Sequence, residues 1–210
     1  MLEEIASQHF DEVVHRLENR AKTSMTLDDI RVSKHNMREI QQIATNSGIE
    51  IEARLTRAFE QVKLPRTRFT NGDFRVLYTA LDEETALSEI TYHFSPAQRT
   101  GKSTVFYFDQ VTYRVSGEMK DLREHLQKMP FLNDPDVARA YPHCNQVGLE
   151  AKTLNLDALF TMSARRKEGV CVPIFRRAVV SASGSRIQAT VEMKFNAETG
   201  AVVLGRQATA

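Results

Sequence analysis

The chain has no tryptophan, only two cysteines, and no apolar run near the roughly 20 residues that cross a bilayer. Cys144 and Cys171 stand apart, without metal-like spacing. The six histidines (His9, His15, His35, His93, His125 and His143) are scattered singly, so no metal site is expected. The charge has little excess of either sign: 28 basic against 27 acidic side chains leave a net charge of +1. There is therefore no global pull toward nucleic acid or an anionic membrane, and an anionic ligand would have to be held locally. The start, Met-Leu-Glu-Glu-Ile, is acidic where a secretory signal would be basic, which makes the cytoplasm the expected location and leaves delivery into another cell open. The phosphate loop G-x-x-x-x-G-K-[ST], the dinucleotide fingerprint G-x-G-x-x-G, H-E-x-x-H and the G-x-S-x-G elbow are all missing.

What is present suits a folded domain. At 210 residues, 41% hydrophobic and 26% charged, the chain can bury one core and carry an appendage. Ile5, His9, Val13 and Leu17 fall four apart among polar residues, the stripe of an amphipathic helix over 3–20. A second helix is expected over 34–46, capped by Ser33, and a third from Ile49 to Val62 with Ile51, Leu55 and Phe59 on its buried side. Leu64-Pro65 closes this front end, since the residue before proline is pushed out of helix. We therefore expect a helical extension over 1–63 and the main domain over 64–210. The extension would pad that domain, bind a partner or serve delivery.

From Arg68 onward the signals tighten. Asn71-Gly72 marks a turn, Arg75–Ala80 has strand composition, and Asp82-Glu-Glu-Thr85 opens a helix with Ala86, Leu87 and Ile90 as apolar positions. Thr104–Val115 reads as a strand that Gly117 ends. Pieces of helix follow to Arg139, broken at Pro130 and Pro135, then a short helix over Val147–Thr153. Leu156–Met162 is apolar, Val170–Phe175 a strand, and Ile187–Phe195 with Ala201–Leu204 a hairpin. Helices followed by a strand-rich region indicate an α+β fold rather than a regular βαβ alternation.

Arg68, Tyr78, Glu89, Ser163 and Arg165 are polar residues at element ends. Singly, each also reads as an ordinary surface cation, core tyrosine, solvated carboxylate or turn hydroxyl. Spacing alone does not overturn those readings; a family resemblance changes the weighing. Arg68-Phe-Thr, Val-Leu-Tyr78 ten residues from the arginine, and Ala-Leu-Ser-Glu89 eleven further on are followed much later by Ser163-Ala-Arg165, Gly169 and a strand to Phe175. This pattern resembles the RES domain family, the toxins of bacterial toxin–antitoxin pairs named for arginine, glutamate and serine. The resemblance runs over about residues 64–180. Gln146 stands where the family has a glutamine, Phe69 where many members have tryptophan, and Arg66 and Arg31 are the two candidates for a further family arginine.

The resemblance implies an ADP-ribosyltransferase-like fold, with a mixed or antiparallel β core and flanking helices, and an enzyme that degrades NAD+ by hydrolysis or phosphorolysis. NAD+ would be the substrate, with no cofactor or metal. Glu89 would stabilise or orient at the ribose, Arg68 would grip the pyrophosphate, Tyr78 would stack on nicotinamide, and Ser163 would bond ribose or phosphate. Arg66, Arg31, Phe69, Arg165 and Gln146 would supply outer contacts. ADP-ribosyl transfer to a macromolecule and a non-catalytic partner-binding module are the alternatives. An antitoxin or immunity protein is the expected partner and a homo-oligomer is possible. Neither nucleic acid nor membrane is expected to bind.

Overall fold

One long strand receives most of the others. Residues 104–121 are rich in valine, tyrosine and phenylalanine, which pack well on a pleated surface. In the computed structural model, which describes residues 1–19, 48–60, 66–94, 104–196, 198–199 and 201–208, they form an 18-residue strand. The elements in chain order are β1 (Ser7–Asn19), α1 (Gly48–Glu60), β2 (Leu77–Ala80), α2 (Glu83–Phe94), β3 (Thr104–Asp121), α3 (Val137–Thr153), β4 (Ala158–Met162), β5 (Val170–Ile174), β6 (Val180–Phe195) and β7 (Val202–Ala208). The fold is α+β, as expected.

The sheet order is β1-β2-β5-β4-β3-β6-β7, with a further pairing of β1 to β3. The strands β1, β2, β5, β4 and β3 thus close a ring, and β6 and β7 extend from it. Among the described strands only the β3–β4 pair is parallel. Phe10, Val14, Leu77, Tyr113, Phe160 and Ile174 fill the ring, with Ile51 and Leu55 of α1 packed among them. A second cluster joins α3 to the opposite face of β4 through Leu159, and a third joins α2 to β1 and β3 through Ala86, Leu17 and Phe108.

Four expectations need correction. The helix over 3–20 is instead a strand, β1, paired with β3 from Ser7↔Lys120 to Asn19↔Phe108. Its buried residues are Phe10, Val14 and Leu17, spaced four and three apart. Phe10 and Val14 enter the ring core while Leu17, on the other face, enters the α2 cluster; of the expected stripe only Leu17 is buried, with His9 and Val13 exposed. Residues 1–19 are accordingly part of the sheet rather than of a helical extension. Secondly, Gly117 does not end β3. It lies within the strand where a Cβ would sit 2.6 Å from Asp157 Oδ2, whose carboxylate accepts the Glu118 N–H at 2.8 Å. Thirdly, the short helix over Val147–Thr153 begins ten residues earlier, at Val137. Asp136 caps it and Ala140, Cys144, Val147 and Ala151 bury one face, which offsets the backbone bond lost at Pro142. Fourthly, β6 starts at Val180. The helix expected over 34–46, Ser33 and Arg31 lie outside the described residues. The third helix stands at Gly48–Glu60, with Ile51 and Leu55 buried.

Beneath α1 lies a buried ionic cluster. Arg54, 8% exposed, donates to Asp109 at 2.6 Å, Glu50 at 2.6 Å and Glu18 at 3.1 Å. Glu18 also accepts from the Tyr113 hydroxyl at 2.7 Å and from Arg16 Nε at 3.1 Å. Burial alone would raise the Glu18 carboxyl, but Arg16, the Tyr113 hydroxyl and Arg54 together draw it below the usual carboxylate range. Stability from this group is therefore present above its unfolded pKa and is lost as pH falls through the depressed folded one. Arg54→Ala would take from buried Asp109 the guanidinium 2.6 Å away and leave Glu18 with Arg16 alone, and we expect a loss of about 3–5 kcal/mol in urea unfolding.

Candidate active site

The cleft is built on the face of β2, β5 and β4 turned away from the ring core. Ala80 pairs with Cys171, and Cys171 with Thr161, so these three residues form a cross-strand row. Together with Tyr78 they line a cavity of about 260 Å³. α2 makes one wall: Ala86, Glu89, Ile90 and His93, spaced as i, i+3, i+4 and i+7, all border the cavity. Asp82 sets the start of this helix, accepting from the Thr85 N–H at 2.8 Å and hydroxyl at 2.7 Å.

Glu89 and Ser163 meet directly. The Ser163 hydroxyl donates to Glu89 Oε1 at 2.6 Å and accepts from the N–H groups of Arg165 at 3.0 Å and Arg166 at 3.1 Å. Ser163 is 8% exposed and its hydroxyl is spent on these contacts, so it orients Glu89 rather than presenting itself to the cavity. The turn that carries it is closed by Ser163 N–H to Gly169 O at 2.7 Å and docked on α2 by Arg166, which reaches Asp82 at 3.2 Å, the Thr85 hydroxyl at 3.1 Å and the Glu84 carboxylate. At Gly169 a Cβ would lie 2.6 Å from Thr85 Oγ1, so the turn needs glycine to approach α2.

Arg68 borders the cavity, but much of its guanidinium is engaged. Nη1 donates to Leu132 O at 3.0 Å and Nη2 to Asp134 O at 3.0 Å, which fastens the turn before α3. A free bidentate fork, as expected for a phosphate grip, is therefore not what Arg68 offers here. Tyr78 holds the same segment: its hydroxyl accepts the Phe69 N–H at 2.9 Å and shares a hydrogen bond with the Thr67 hydroxyl at 2.6 Å, and its ring stacks on Phe69 at 6.4 Å. Burial pushes the Tyr78 phenol well above its usual range, so it stays protonated. From α3, Asn145 donates to the carbonyls of Thr67 and Arg68 at 2.7 and 2.8 Å.

Arg165 borders the cavity with its guanidinium 3.3 Å above the Tyr92 ring and donates to Pro135 O at 3.0 Å. Phe69 borders it as a buried ring. Two expected contacts are not brought in. Arg66 is exposed and bonds Asn145 Oδ1 at 3.0 Å, and Gln146 is exposed on α3; neither borders the cavity.

Sequence reasoning missed the β1 wall. His15, Arg16 and Leu17 all border the cavity. Arg16 donates to Tyr78 O at 2.6 Å, which links the cleft to the Arg54 cluster through Glu18. Among the described residues it is Arg16, rather than Arg66, that adds an arginine to the wall. His93, Tyr141 and Cys171 were missed too. Burial lowers the pKa of both His15 and His93, which favours neutral imidazoles at neutral pH. Among the described residues the cavity wall therefore carries three guanidinium groups, Arg16, Arg68 and Arg165, against one carboxylate, Glu89. Groups of three or more histidine, cysteine or acidic side chains placed to hold a metal are absent among the described residues.

Comparison with known families decides the affiliation. The RES domain matches residues 43–196, most of the chain and all of the cavity apart from the β1 wall. The chain belongs to the RES domain family. Membership is consistent with a toxin-like or NAD-related role, and RES domains are known in enzymatic toxins. No curated protein matches the chain. Among the described residues no helix is long and apolar enough to cross a membrane.

Gly148 of this RES domain sits where a Cβ would lie 1.8 Å from the Phe69 carbonyl oxygen. Gly148→Ala must displace either α3 or the Thr67–Phe69 segment, and we expect a loss of about 3 kcal/mol, read as a lowered midpoint in urea unfolding.

Proposed function

We propose that this RES domain is an enzyme that cleaves the nicotinamide–ribose bond of NAD+, with an ADP-ribosyltransferase-like use of its cleft, and that it thereby depletes NAD in the cell that contains it. The observation that carries the reading is a carboxylate, Glu89, held by Ser163 in a cavity whose other fixed charges, among the described residues, are three arginines. Such a site attracts an anion and yet places one negative group at a defined point. A dinucleotide matches both features, because its pyrophosphate is anionic and its nicotinamide ribose becomes cationic as the glycosidic bond breaks.

In this mechanism the C–N bond to nicotinamide lengthens and the ribose takes on oxocarbenium character. The Glu89 oxygen that Ser163 leaves uncovered stabilises that charge and orients the incoming nucleophile, water or inorganic phosphate, for attack at the anomeric carbon. The bonding electrons leave with nicotinamide. Tyr78, backed by Phe69, lies against the leaving ring, and Arg165 balances the pyrophosphate charge, with a smaller share from Arg16, which is paired with Glu18. Arg68 keeps the Leu132–Asp134 turn in place and contributes its field. The neutral His15 and His93 add polarity to the wall without opposing the cationic ribose.

Purified protein should consume NAD+ and release free nicotinamide, measured by chromatography. Glu89→Gln keeps an acceptor for Ser163 and should lower the rate by at least about 10²-fold at unchanged melting temperature. Ser163→Ala, which removes one hydrogen bond to the carboxylate, should cost about 10-fold. Full turnover by Glu89→Gln would remove Glu89 from the chemistry. Labelled NAD+ that marks a macromolecule instead of yielding free product would replace cleavage by ADP-ribosyl transfer.

A further inference from the structure

A second side chain converges on the carboxylate. Cys171, on β5, borders the cavity in the cross-strand row between Ala80 and Thr161, and its thiol sulfur lies 3.5 Å from Glu89 Oε1. That is the same oxygen that accepts the Ser163 hydroxyl at 2.6 Å. Among the described residues neither donor reaches Oε2. We infer that Cys171 is a positioning residue: its S–H and the Ser163 O–H together hold Glu89 Oε1, so that Oε2 alone faces the substrate with a fixed orientation. The inference rests on the cleavage reading for its kinetic consequence but on geometry for the contact itself.

The chemistry suits a thiol at this point. Ser163 arrives from the β4–β5 turn and Cys171 from β5, so the two donors approach from separate elements. With two anchors on one oxygen, rotation of the carboxylate about its last torsion is opposed from both sides. The thiol must remain protonated to donate, and it does: burial, and then the Glu89 charge beside it, push its pKa far above that of an ordinary cysteine. The other cysteine, Cys144, sits on α3 against Phe131 O and Arg68, away from the carboxylate.

The test uses the full chain with two readouts. Cys171→Ala and Cys171→Val remove the donor, one leaving a small space and the other filling it. Each should lower kcat for NAD+ consumption about three- to tenfold with KM unchanged, the span of one modest hydrogen bond, while Cys171→Ser recovers most of the rate. Independently of turnover, iodoacetamide labelling of Cys171, located by mass spectrometry, should require markedly higher pH in the wild type than in Glu89→Gln, where the neighbouring charge is gone. Wild-type kcat in both Cys171→Ala and Cys171→Val, or identical labelling profiles in wild type and Glu89→Gln, overturns the assignment. A wild-type protein that leaves NAD+ intact yet shows the labelling shift overturns the cleavage reading and retains the thiol–carboxylate pair.

Discussion

The contact between Ser163 and Glu89 ties together two parts of the chain that share no strand pairing. On one side is α2, whose start is fixed by Asp82 and Thr85; on the other is the β4–β5 turn, fixed by Gly169 and by Arg166 reaching across to Asp82 and Glu84. Without the 2.6 Å bond the carboxylate would be a helix side chain on a mostly apolar stripe, held by the longer Cys171 contact alone. With it, the helix and the turn form the two sides of one site. The arginines matter in relation to this point, since a positive wall around an unplaced carboxylate would simply neutralise it.

Much of the site was readable because its residues occur in two blocks whose internal spacing reflects local structure. Tyr78 follows Arg68 at the distance a turn and an extended segment require, and Glu89 lies on the helix that begins just after that strand. The wall positions Ala86, Ile90 and His93 have the same helical period as Glu89 and were available as a signal. The roles within the blocks were less readable. Arg68 was read as a phosphate fork because that is the usual use of an arginine by an anion site, but three-dimensional packing set carbonyl oxygens of residues 132 and 134 within its reach. Ser163 was read as a substrate contact, although the turn that carries it points the hydroxyl at Glu89.

The fold failed to be readable where one strand serves two cores. In β1, Phe10 and Val14 face the ring interior while Leu17 faces α2, and of the expected stripe Ile5, His9, Val13 and Leu17 only Leu17 is buried, so the four-residue spacing marked no single face. The same error hid Arg16 and His15. A residue on an expected exposed helix face had no reason to be considered for the cleft, whereas the same residue on a strand beside β2 borders it. The short helix expected over Val147–Thr153 left out the first ten residues of α3, where capping by Asp136 and the buried row carry the helix through Pro142.

The position of β1 also bears on how such a domain can be divided. The RES match begins at residue 43, after β1 has ended, yet β1 occupies the whole edge of β3 from residue 108 to 120. Trimming the chain to the matched region would strip thirteen consecutive backbone partners from the longest strand and open the ring. The exposed edge would then present an extended template for pairing with another chain, so that a fragment chosen by family boundaries would trade an enzyme-like cleft for a surface prone to self-association.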